Sequence, residues 1–226
     1  MNKLATTSYP IHNSIRRRWS PRSFEDRTVE SEQLIRLLEA ARWAPSWRND
    51  QPWRFIVATK ENPEAYRRLF DCLKPGNQRW AGLAPVLMVA VAKRGYDHDP
   101  QPNPVTLYDT GQAVAQLTIE ALSQGLYVHQ MGGIHHERIR ETYDIPADYQ
   151  PIVALAIGYL GQPTDLPADL QQREEAPRAR LPLGEIAFIG AWGLPFISMR
   201  LTGEGLINEG RLINGGHKNG VGKNGE

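Results

Sequence analysis

The segment Pro85–Ala92, PVLMVAVA, constrains the fold more than any other part of the chain. It is a continuous apolar run of strand length, followed by the polar residue Lys93. Such a run predicts a buried central strand, because a strand with one solvated face would alternate apolar and polar residues. Pro151–Leu160 is a second run of this kind, and we predict two further strands at Trp53–Thr59 and Leu126–Met131.

Apolar residues at helical spacing predict the helices that accompany these strands. Ser31–Ala44 is predicted to be an amphipathic helix, and Thr106–Gln124 to be a long helix with a wide apolar face. Shorter helices are predicted at Pro63–Leu73 and His136–Ile145. The Pro-rich segment Gln162–Ile186 is interpreted as a polar crossing segment.

These elements predict a single α+β domain over residues 1–196, followed by a Gly- and Asn-rich tail, 197–226, that we expect to be largely disordered. The net charge of +1 gives no reason to expect a nucleic-acid partner. The single cysteine, Cys72, excludes an internal disulfide and favours a reducing compartment. The sequence shows no apolar stretch of membrane-spanning or signal-peptide length. We therefore expect a soluble, cytoplasmic protein with no membrane partner.

Positive charge is concentrated in the segment RRRWSPRSF, Arg16–Phe24, although the whole chain is nearly neutral. Such a cluster is either a solvated surface turn or a site for an anion. Arg178 and Arg180 form a second cluster, and in an extended segment their side chains would point the same way. Arginine suits phosphate because its planar guanidinium donates two parallel hydrogen bonds. The chain has neither a GxGxxG loop after a strand nor a P-loop, so the two commonest phosphate-binding fingerprints are absent.

Five segments, in this order, resemble motifs of the FMN-dependent nitroreductase family. RWSPRSF resembles the N-terminal R-x-S-x-R-x-F signature, and ARWAPSWRNDQPWRFIV resembles the A-P-S-S-x-N-x-Q-P-W-x-F segment. YDTGQAVAQLTIEALSQGLYVHQMGGI resembles the long helix, the following strand and the glycine pair, while PIVALAIGYLG and RARLPLGEI are similar to the last core strand and the basic C-terminal segment. The resemblance runs from Ser14 to Trp192. It implies a nitroreductase-like α+β fold, with a mostly antiparallel sheet flanked by helices, in an intertwined homodimer.

The resemblance also implies a site for FMN at the subunit interface. The R-x-S-x-R segment and the later arginine pair would hold the phosphate. The loop before the first strand would reach the flavin from the partner subunit, and the glycine pair would place backbone donors near N5 and O4 of the flavin. The residues implied are Arg18, Trp19, Ser20, Arg22, Pro45, Ser46, Trp47, Asn49, Gln51, Asn77, Met131, Gly132, Gly133, Arg178 and Arg180.

Two tryptophans depart from the family pattern. Trp47 stands where the family has a second serine, and its indole would either stack near the flavin or narrow the substrate pocket. Trp80 stands where some members have a basic residue. His129, His135 and His136 surround the glycine pair; we interpret them as surface histidines that begin a helix, because no Cys or carboxylate completes a metal-ligand spacing. No metal site is predicted.

The resemblance implies a ping-pong oxidoreductase that transfers hydride from NADPH or NADH to FMN and then to a small electron-poor acceptor, a nitroaromatic or a quinone. The flavin carries this chemistry, so no catalytic side chain is expected. The chain has no dedicated Rossmann site and so shows no preference between NADH and NADPH. The alternatives are a flavin-binding or sensor protein without turnover, another flavin chemistry such as dehalogenation or ring dehydrogenation, and a phosphate-ligand-binding domain without flavin.

Overall fold

The computed structural model describes residues 3–96, 101–196, 199–202 and 205–208. The chain divides into two compact units, Met1–Arg178 and Ala179–Glu226. The proposed boundary between a domain of residues 1–196 and a tail of 197–226 stays a prediction. In the described parts of the chain, no helix combines the length and the apolar character needed to cross a membrane.

The first unit is built on a four-stranded sheet in which every pair of neighbouring strands is antiparallel. The strand order is β1-β2-β4-β3, so β1 and β3 are the two edges. All four predicted strands are confirmed, with end residues that differ by at most two positions. The strands are β1 Trp53–Thr59, β2 Val86–Lys93, β3 Tyr127–Met131 and β4 Tyr149–Gly158.

Seven α-helices lie in the described residues of the first unit, and the four predicted ones are among them. They are α1 Asn13–Arg17, α2 Ser31–Arg42, α3 Pro63–Phe70, α4 Pro75–Ala81, α5 Thr106–Ser123, α6 His136–Thr142 and α7 Ala168–Glu175. Gly125 follows α5 with φ of 77°, a left-handed conformation that glycine adopts without a steric penalty.

The structure adds a helix that was not predicted, because α7 lies within the Pro-rich crossing segment 162–186. Leu170 and Glu174 are both buried and are four residues apart, so they occupy one face of this helix. The sequence pattern concealed the helix because one of its two buried residues is a carboxylate, which is almost never fully buried unless it is paired.

Alternate residues of β2 enter two separate cores. Leu87, Val89 and Val91 pack in a first core with residues of α3, α4, α6 and α7. On the other face, β2 residues such as Met88 pack in a second core with α2 and α5. Helices therefore cover both faces of the sheet. The covering explains why the β2 sequence is apolar at every position, and it confirms the α+β architecture.

The second unit contains a short 3₁₀ helix, Leu183–Glu185, and an antiparallel hairpin of β5, Met199–Thr202, and β6, Gly205–Asn208. The hairpin falls where the predicted tail begins. Residues 209–226 of that tail lie outside the described residues, so the expectation of disorder there stays a prediction.

Candidate active site

The basic N-terminal segment lies beside the edge strand β3. The imidazole Nδ1 of His129, on β3, donates a hydrogen bond to the carbonyl oxygen of Pro21 over 2.8 Å. Arg18 directs Nη1 to the hydroxyl oxygen of Ser20 at 3.3 Å. Further along, Phe24 forms an antiparallel bridge with Leu160, just beyond β4. The segment is therefore fixed at both ends and is not a loose surface turn.

A buried carboxylate that the sequence analysis missed holds this segment in place. Glu174, on α7, is 1% exposed, and its Oε1 accepts hydrogen bonds from the backbone N–H of Arg22 at 2.7 Å and of Ser23 at 3.2 Å. Its Oε2 lies 3.6 Å from Nη1 of Arg22 and has no hydrogen-bond partner among the described residues. The ion pair orients Arg22, because a buried carboxylate is stable only when it is paired.

Two further cations lie around Glu174. Lys3 donates from Nζ to the backbone carbonyl of Glu174, and its ammonium lies 4.7 Å from the ring centroid of Trp19. Burial lowers the pKa of Lys3; Glu174 opposes this shift, whereas the nearby charges of Arg178 and Arg22 add to it. Arg178 donates from Nη1 to two carbonyl oxygens, those of Lys3 and of Arg16 in α1, each at 3.0 Å. The cations outnumber the single buried carboxylate, so this surface suits an anion.

Arg180 lies in the second unit, where its Nη1 donates to the carbonyl oxygen of Ala179 at 2.7 Å. Its predicted convergence with Arg178 on one phosphate stays a prediction. Trp19 is 6% exposed and packs edge-on against Tyr127 of β3, with ring centroids 6.3 Å apart. Trp19 Nε1 is buried and has no hydrogen-bond partner among the described residues.

His129 is not a surface histidine at a helix start, so that interpretation is wrong for this residue. It lies within β3, is partly buried, and packs against Trp80 with ring centroids 4.3 Å apart. Burial lowers the pKa of His129 to about 4, and the charges of Arg22 and Arg18 lower it further, while hydrogen bonds to backbone carbonyls oppose the shift. His129 is therefore neutral at pH 7.

The other two histidines are exposed at the start of α6, as interpreted. His136 donates from Nδ1 to the carbonyl oxygen of Pro151 over 3.0 Å. The described residues contain no group of three or more His, Cys, Asp or Glu side chains placed to hold a metal ion.

The glycine pair follows β3 directly and contacts α4. Met131, the last residue of β3, is 2% exposed. The carbonyl oxygen of Gly133 accepts hydrogen bonds from the backbone N–H of Lys74 at 2.9 Å and from Nδ2 of Asn77 at 3.0 Å. A Cβ atom at Gly133 would lie 2.7 Å from that Nδ2, whereas a Cβ at Gly132 would meet nothing within 4 Å. The backbone of Gly132 is thus open to close approach by a ligand.

The loop before β1 has a strained backbone. Arg48, Asn49 and Gln51 have φ values of 52°, 58° and 48°. Such left-handed conformations cost about 1–3 kcal/mol each in a residue other than glycine and cluster at functional sites. Pro45 and Asn49 in this loop are exposed, and Trp47 between them is 44% exposed.

Two side-chain acceptors hold this loop, and one of them is buried. The backbone N–H of Trp47 donates to Oδ2 of Asp109, on α5, over 3.0 Å, and Asp109 is 2% exposed. The backbone N–H of Gln51 donates to Oγ of Ser46 over 3.0 Å. The Trp47 indole packs against Tyr96, with ring centroids 5.2 Å apart. The strained turn is therefore a fixed feature of the fold.

The structure brings the predicted site residues together in two groups, which belong to opposite edges of the sheet. Arg18, Ser20, Arg22, Asn77 and the glycine pair lie along β3, whereas the strained loop leads into β1. With β2 and β4 between them, β1 and β3 are about 14 Å apart at the usual spacing of about 4.8 Å per strand.

The fold is that of an α+β protein with helices on both faces of an antiparallel sheet, and the cations beside β3 give it a surface suited to an anion. The Nitroreductase family profile matches residues 15–74 and 61–159. The chain therefore belongs to the nitroreductase family, and this membership supports an oxidoreductase activity.

Known proteins of similar sequence and structure agree with this assignment. A crystal structure described as an oxidoreductase containing FMN is 37% identical, covers 83% of this chain and 95% of its own, and has a TM-score of 0.79. A nitroreductase family protein from Clostridium difficile 630 is 26% identical, covers 79% of this chain and 96% of its own, and has a TM-score of 0.62. An uncharacterized 15.4 kDa protein of Mycolicibacterium smegmatis is 36% identical over 149 residues, which are 63% of this chain and 99% of that protein.

Proposed function

We propose that the protein is an FMN-dependent oxidoreductase that uses NADPH or NADH to reduce a small electron-poor acceptor, a nitroaromatic or a quinone. One observation carries the proposal. The cationic segment and the open Gly132 backbone lie along the same edge strand, at His129 and just beyond Met131. Gly132 lies three residue steps beyond His129, a distance of about 10 Å along an extended strand. This arrangement offers charge to the phosphate of FMN and backbone amides to its ring.

The residues fit FMN in their chemistry as well as in their order. Lys3, Arg22 and Arg178 lie around the buried carboxylate of Glu174, and Arg18 and Arg22 lie near His129, so cations outnumber the buried carboxylate and favour a phosphate dianion. At the other end, Gly132 lacks the side chain that would obstruct a planar ring, and the space beside its Cα is open.

Each of these residues has a distinct task in the proposed site. Arg18, Ser20 and Arg22 hold the phosphate, with Arg178 and Arg180 as the later arginine pair and Trp19 contributing its backbone. Glu174 orients Arg22. Gly132 and Gly133 direct backbone N–H groups to the ring, and Asn77 fixes the carbonyl of Gly133. Bound FMN supplies the ability to accept a hydride from the nicotinamide and to donate it to the acceptor in ping-pong order, so no side chain has to act as acid or base.

The proposed site is completed by a second copy of the chain. Pro45, Ser46, Trp47, Asn49 and Gln51 belong to the loop that leads into β1, the edge opposite β3. A flavin beside β3 is reached by this loop more readily from a partner subunit than from its own chain. The proposal is therefore a homodimer with FMN at the interface between the subunits.

One observation favours a second candidate, a flavin-binding protein without turnover. Trp47 replaces the smaller serine of the family pattern and is 44% exposed, so its indole has access to a substrate face. If it covered the flavin of the partner subunit, FMN would be bound but idle.

The visible spectrum of the purified protein, followed by anaerobic addition of NADPH or NADH, tests these proposals. We expect a yellow protein that bleaches on reduction and regains its colour with a nitroaromatic or a quinone. Yellow that persists with both reductants would support the idle binder. A colourless protein that fails to bind added FMN would contradict both proposals and favour a phosphate-binding domain without flavin.

A further inference from the structure

A surface pocket of about 590 Å³ adjoins the glycine pair, because Ile134, which follows Gly133 in the chain, is part of its lining. Its lining consists of Lys74, Ile134, His135, His136, Glu137 and Arg138. Ile134 is 1% exposed and forms an apolar floor, whereas the other five residues are exposed. A pocket with a small apolar base and a polar rim can hold one substituent of a ligand that extends beyond it.

The pocket carries an excess of positive charge. Among the described residues, the side chains of Lys74 and Arg138 form no ion pair. The single carboxylate of the lining, Glu137, has its Oε2 3.7 Å from Nε of Arg140, which lies outside the lining. Two cations therefore face the pocket with their charge uncompensated, which favours an anionic occupant.

The position of the pocket connects it to the proposed flavin site. Lys74 donates its backbone N–H to the carbonyl oxygen of Gly133, and Ile134 follows this glycine in the chain. A substrate stacked on a flavin at Gly132 and Gly133 would therefore have the pocket directly beside it, within reach of a substituent.

We propose that this pocket binds an anionic group, a phosphate or a carboxylate, of the substrate that occupies the active site. The inference rests on the proposed function, and it adds to it a preference for substrates that carry negative charge. Two sources share this chemistry: the phosphates of the nicotinamide dinucleotide, and a carboxylate on an aromatic acceptor.

Stopped-flow kinetics of the FMN-loaded double variant Lys74→Ala/Arg138→Ala tests the proposal. The reductive half-reaction is followed with NADPH and with NADH, and the oxidative half-reaction with 4-nitrobenzoate and with the neutral 4-nitrobenzyl alcohol. Arg67→Ala is the control, because Arg67 is an exposed arginine on α3 that pairs with Asp71 and lies outside the pocket.

We expect the double variant to lose about tenfold in apparent affinity, equivalent to about 1.4 kcal/mol, for the anionic substrate whose charged group the pocket binds, either a dinucleotide or 4-nitrobenzoate. The control should keep the wild-type affinity. The difference from wild type should shrink in about 1 M salt, where the Debye length is about 3 Å. A fall with a dinucleotide assigns the anion to the reductant, whereas a fall with 4-nitrobenzoate and not with the neutral alcohol assigns it to the acceptor. Equal affinities of variant and wild type for all four substrates would overturn the proposal.

A direct titration separates this proposal from the proposed function. Inorganic pyrophosphate is titrated calorimetrically into the wild type and the double variant, each as purified and each saturated with FMN. If the wild type takes up no FMN, the proposed function fails, and the titration still decides whether the pocket binds anions. Weaker pyrophosphate binding by the double variant than by the wild type supports an anion site in the pocket. Identical isotherms for the two proteins contradict it.

Discussion

Arg22 forms an ion pair with the buried carboxylate of Glu174 and, in our proposal, also binds the phosphate of FMN. The 3.6 Å separation of Nη1 and Oε2 exceeds hydrogen-bond distance, so this pair orients the guanidinium without using its best hydrogen-bond geometry. The donors of Arg22 can then serve a phosphate, where a charge-assisted hydrogen bond contributes more than one between neutral groups.

Replacing Arg22 with alanine should weaken FMN binding by about one to two powers of ten. A hydrogen bond between charged groups contributes about 1.5–3 kcal/mol, and 1.4 kcal/mol corresponds to a factor of ten in affinity. Arg16→Ala is the matched control, because the Arg16 side chain is exposed. The contact of Arg16 with Arg178 is made by the backbone carbonyl oxygen, which the alanine variant retains. Titration of FMN into the apo proteins by flavin fluorescence measures both dissociation constants. A wild-type constant for Arg22→Ala would contradict the phosphate assignment.

His129 should make the stability of the apo protein depend on pH. Its folded pKa of about 4 lies below the ordinary value of 6.5, so between these pH values the unfolded chain binds a proton that the folded protein does not. The free energy of unfolding therefore falls as the pH falls through this window, by up to about 1.4 kcal/mol per unit. Urea unfolding at pH 6.5 and pH 5 should show a loss of about 1.5 kcal/mol, because at pH 6.5 the unfolded histidine is only half protonated.

The variant His129→Gln isolates this contribution, because a glutamine amide can donate to the Pro21 carbonyl and does not titrate. We expect the variant to lose less stability than the wild type between the same two pH values. If both proteins lose the same amount, the pH dependence comes from other groups.

At this scale, a motif identifies candidate residues whose role in binding FMN stays a prediction, whereas it does not identify residues that contribute through burial. Arg18, Ser20 and Arg22 form a recognisable pattern, and the structure places them together. Glu174 and Lys3 belong to no motif. Their position beside Arg22 follows from the packing of α7 against the N-terminal segment, which brings together residues 171 positions apart in the chain.

The elements were predicted where their apolar pattern is unbroken. β2 and β4 are buried on both faces, and their continuous apolar runs identify them without ambiguity. Helix α7 was missed because its mostly polar sequence has an apolar face of only one buried residue, Leu170. The strained turn at Arg48 was also beyond prediction, because its left-handed residues are neither glycines nor in a standard hairpin.

The attachment of the strained loop to α5 should depend on Asp109. Asp109→Ala removes the acceptor of the Trp47 backbone N–H and should lower the free energy of unfolding by about 1 kcal/mol, the usual net contribution of one hydrogen bond. The adjacent Thr110→Ala is the control, because the buried Thr110 hydroxyl has no hydrogen-bond partner among the described residues. Urea unfolding compares the two variants. An equal or larger loss in Thr110→Ala would show that the Asp109 contact does not hold the loop.

At the scale of the whole molecule, the outer surface of α2 and α5 carries large apolar side chains. Ile35, Trp43, Leu107 and Tyr108 are each more than half exposed. A shallow groove of about 300 Å³ between the two helices has a mostly apolar lining that includes Ile119. Several large apolar side chains exposed on two neighbouring helices indicate an interaction site in a soluble protein. In our proposal it is covered by the second subunit.

The substitution Ile35→Glu should dissociate the proposed dimer without unfolding the chain. Ile35 is 64% exposed, so a glutamate there is solvated in the monomer, whereas an unpaired charge buried at an interface costs several kcal/mol. We expect the wild type to sediment as a dimer at micromolar concentration and the variant as a monomer. Gln172→Glu, which adds the same charge to the exposed face of α7, should remain a dimer.

The same variant tests whether each flavin site requires two chains. The strained loop and the cationic segment lie at opposite edges of one sheet, so a monomer would offer FMN only the residues beside β3. Its affinity for FMN, measured by flavin fluorescence, should therefore fall together with dimerisation, while the circular dichroism spectrum stays unchanged. A wild type that sediments as a monomer would contradict the dimer. A monomeric variant that binds FMN as tightly as the wild type would instead show that one chain completes the site, and that the loop before β1 has another role.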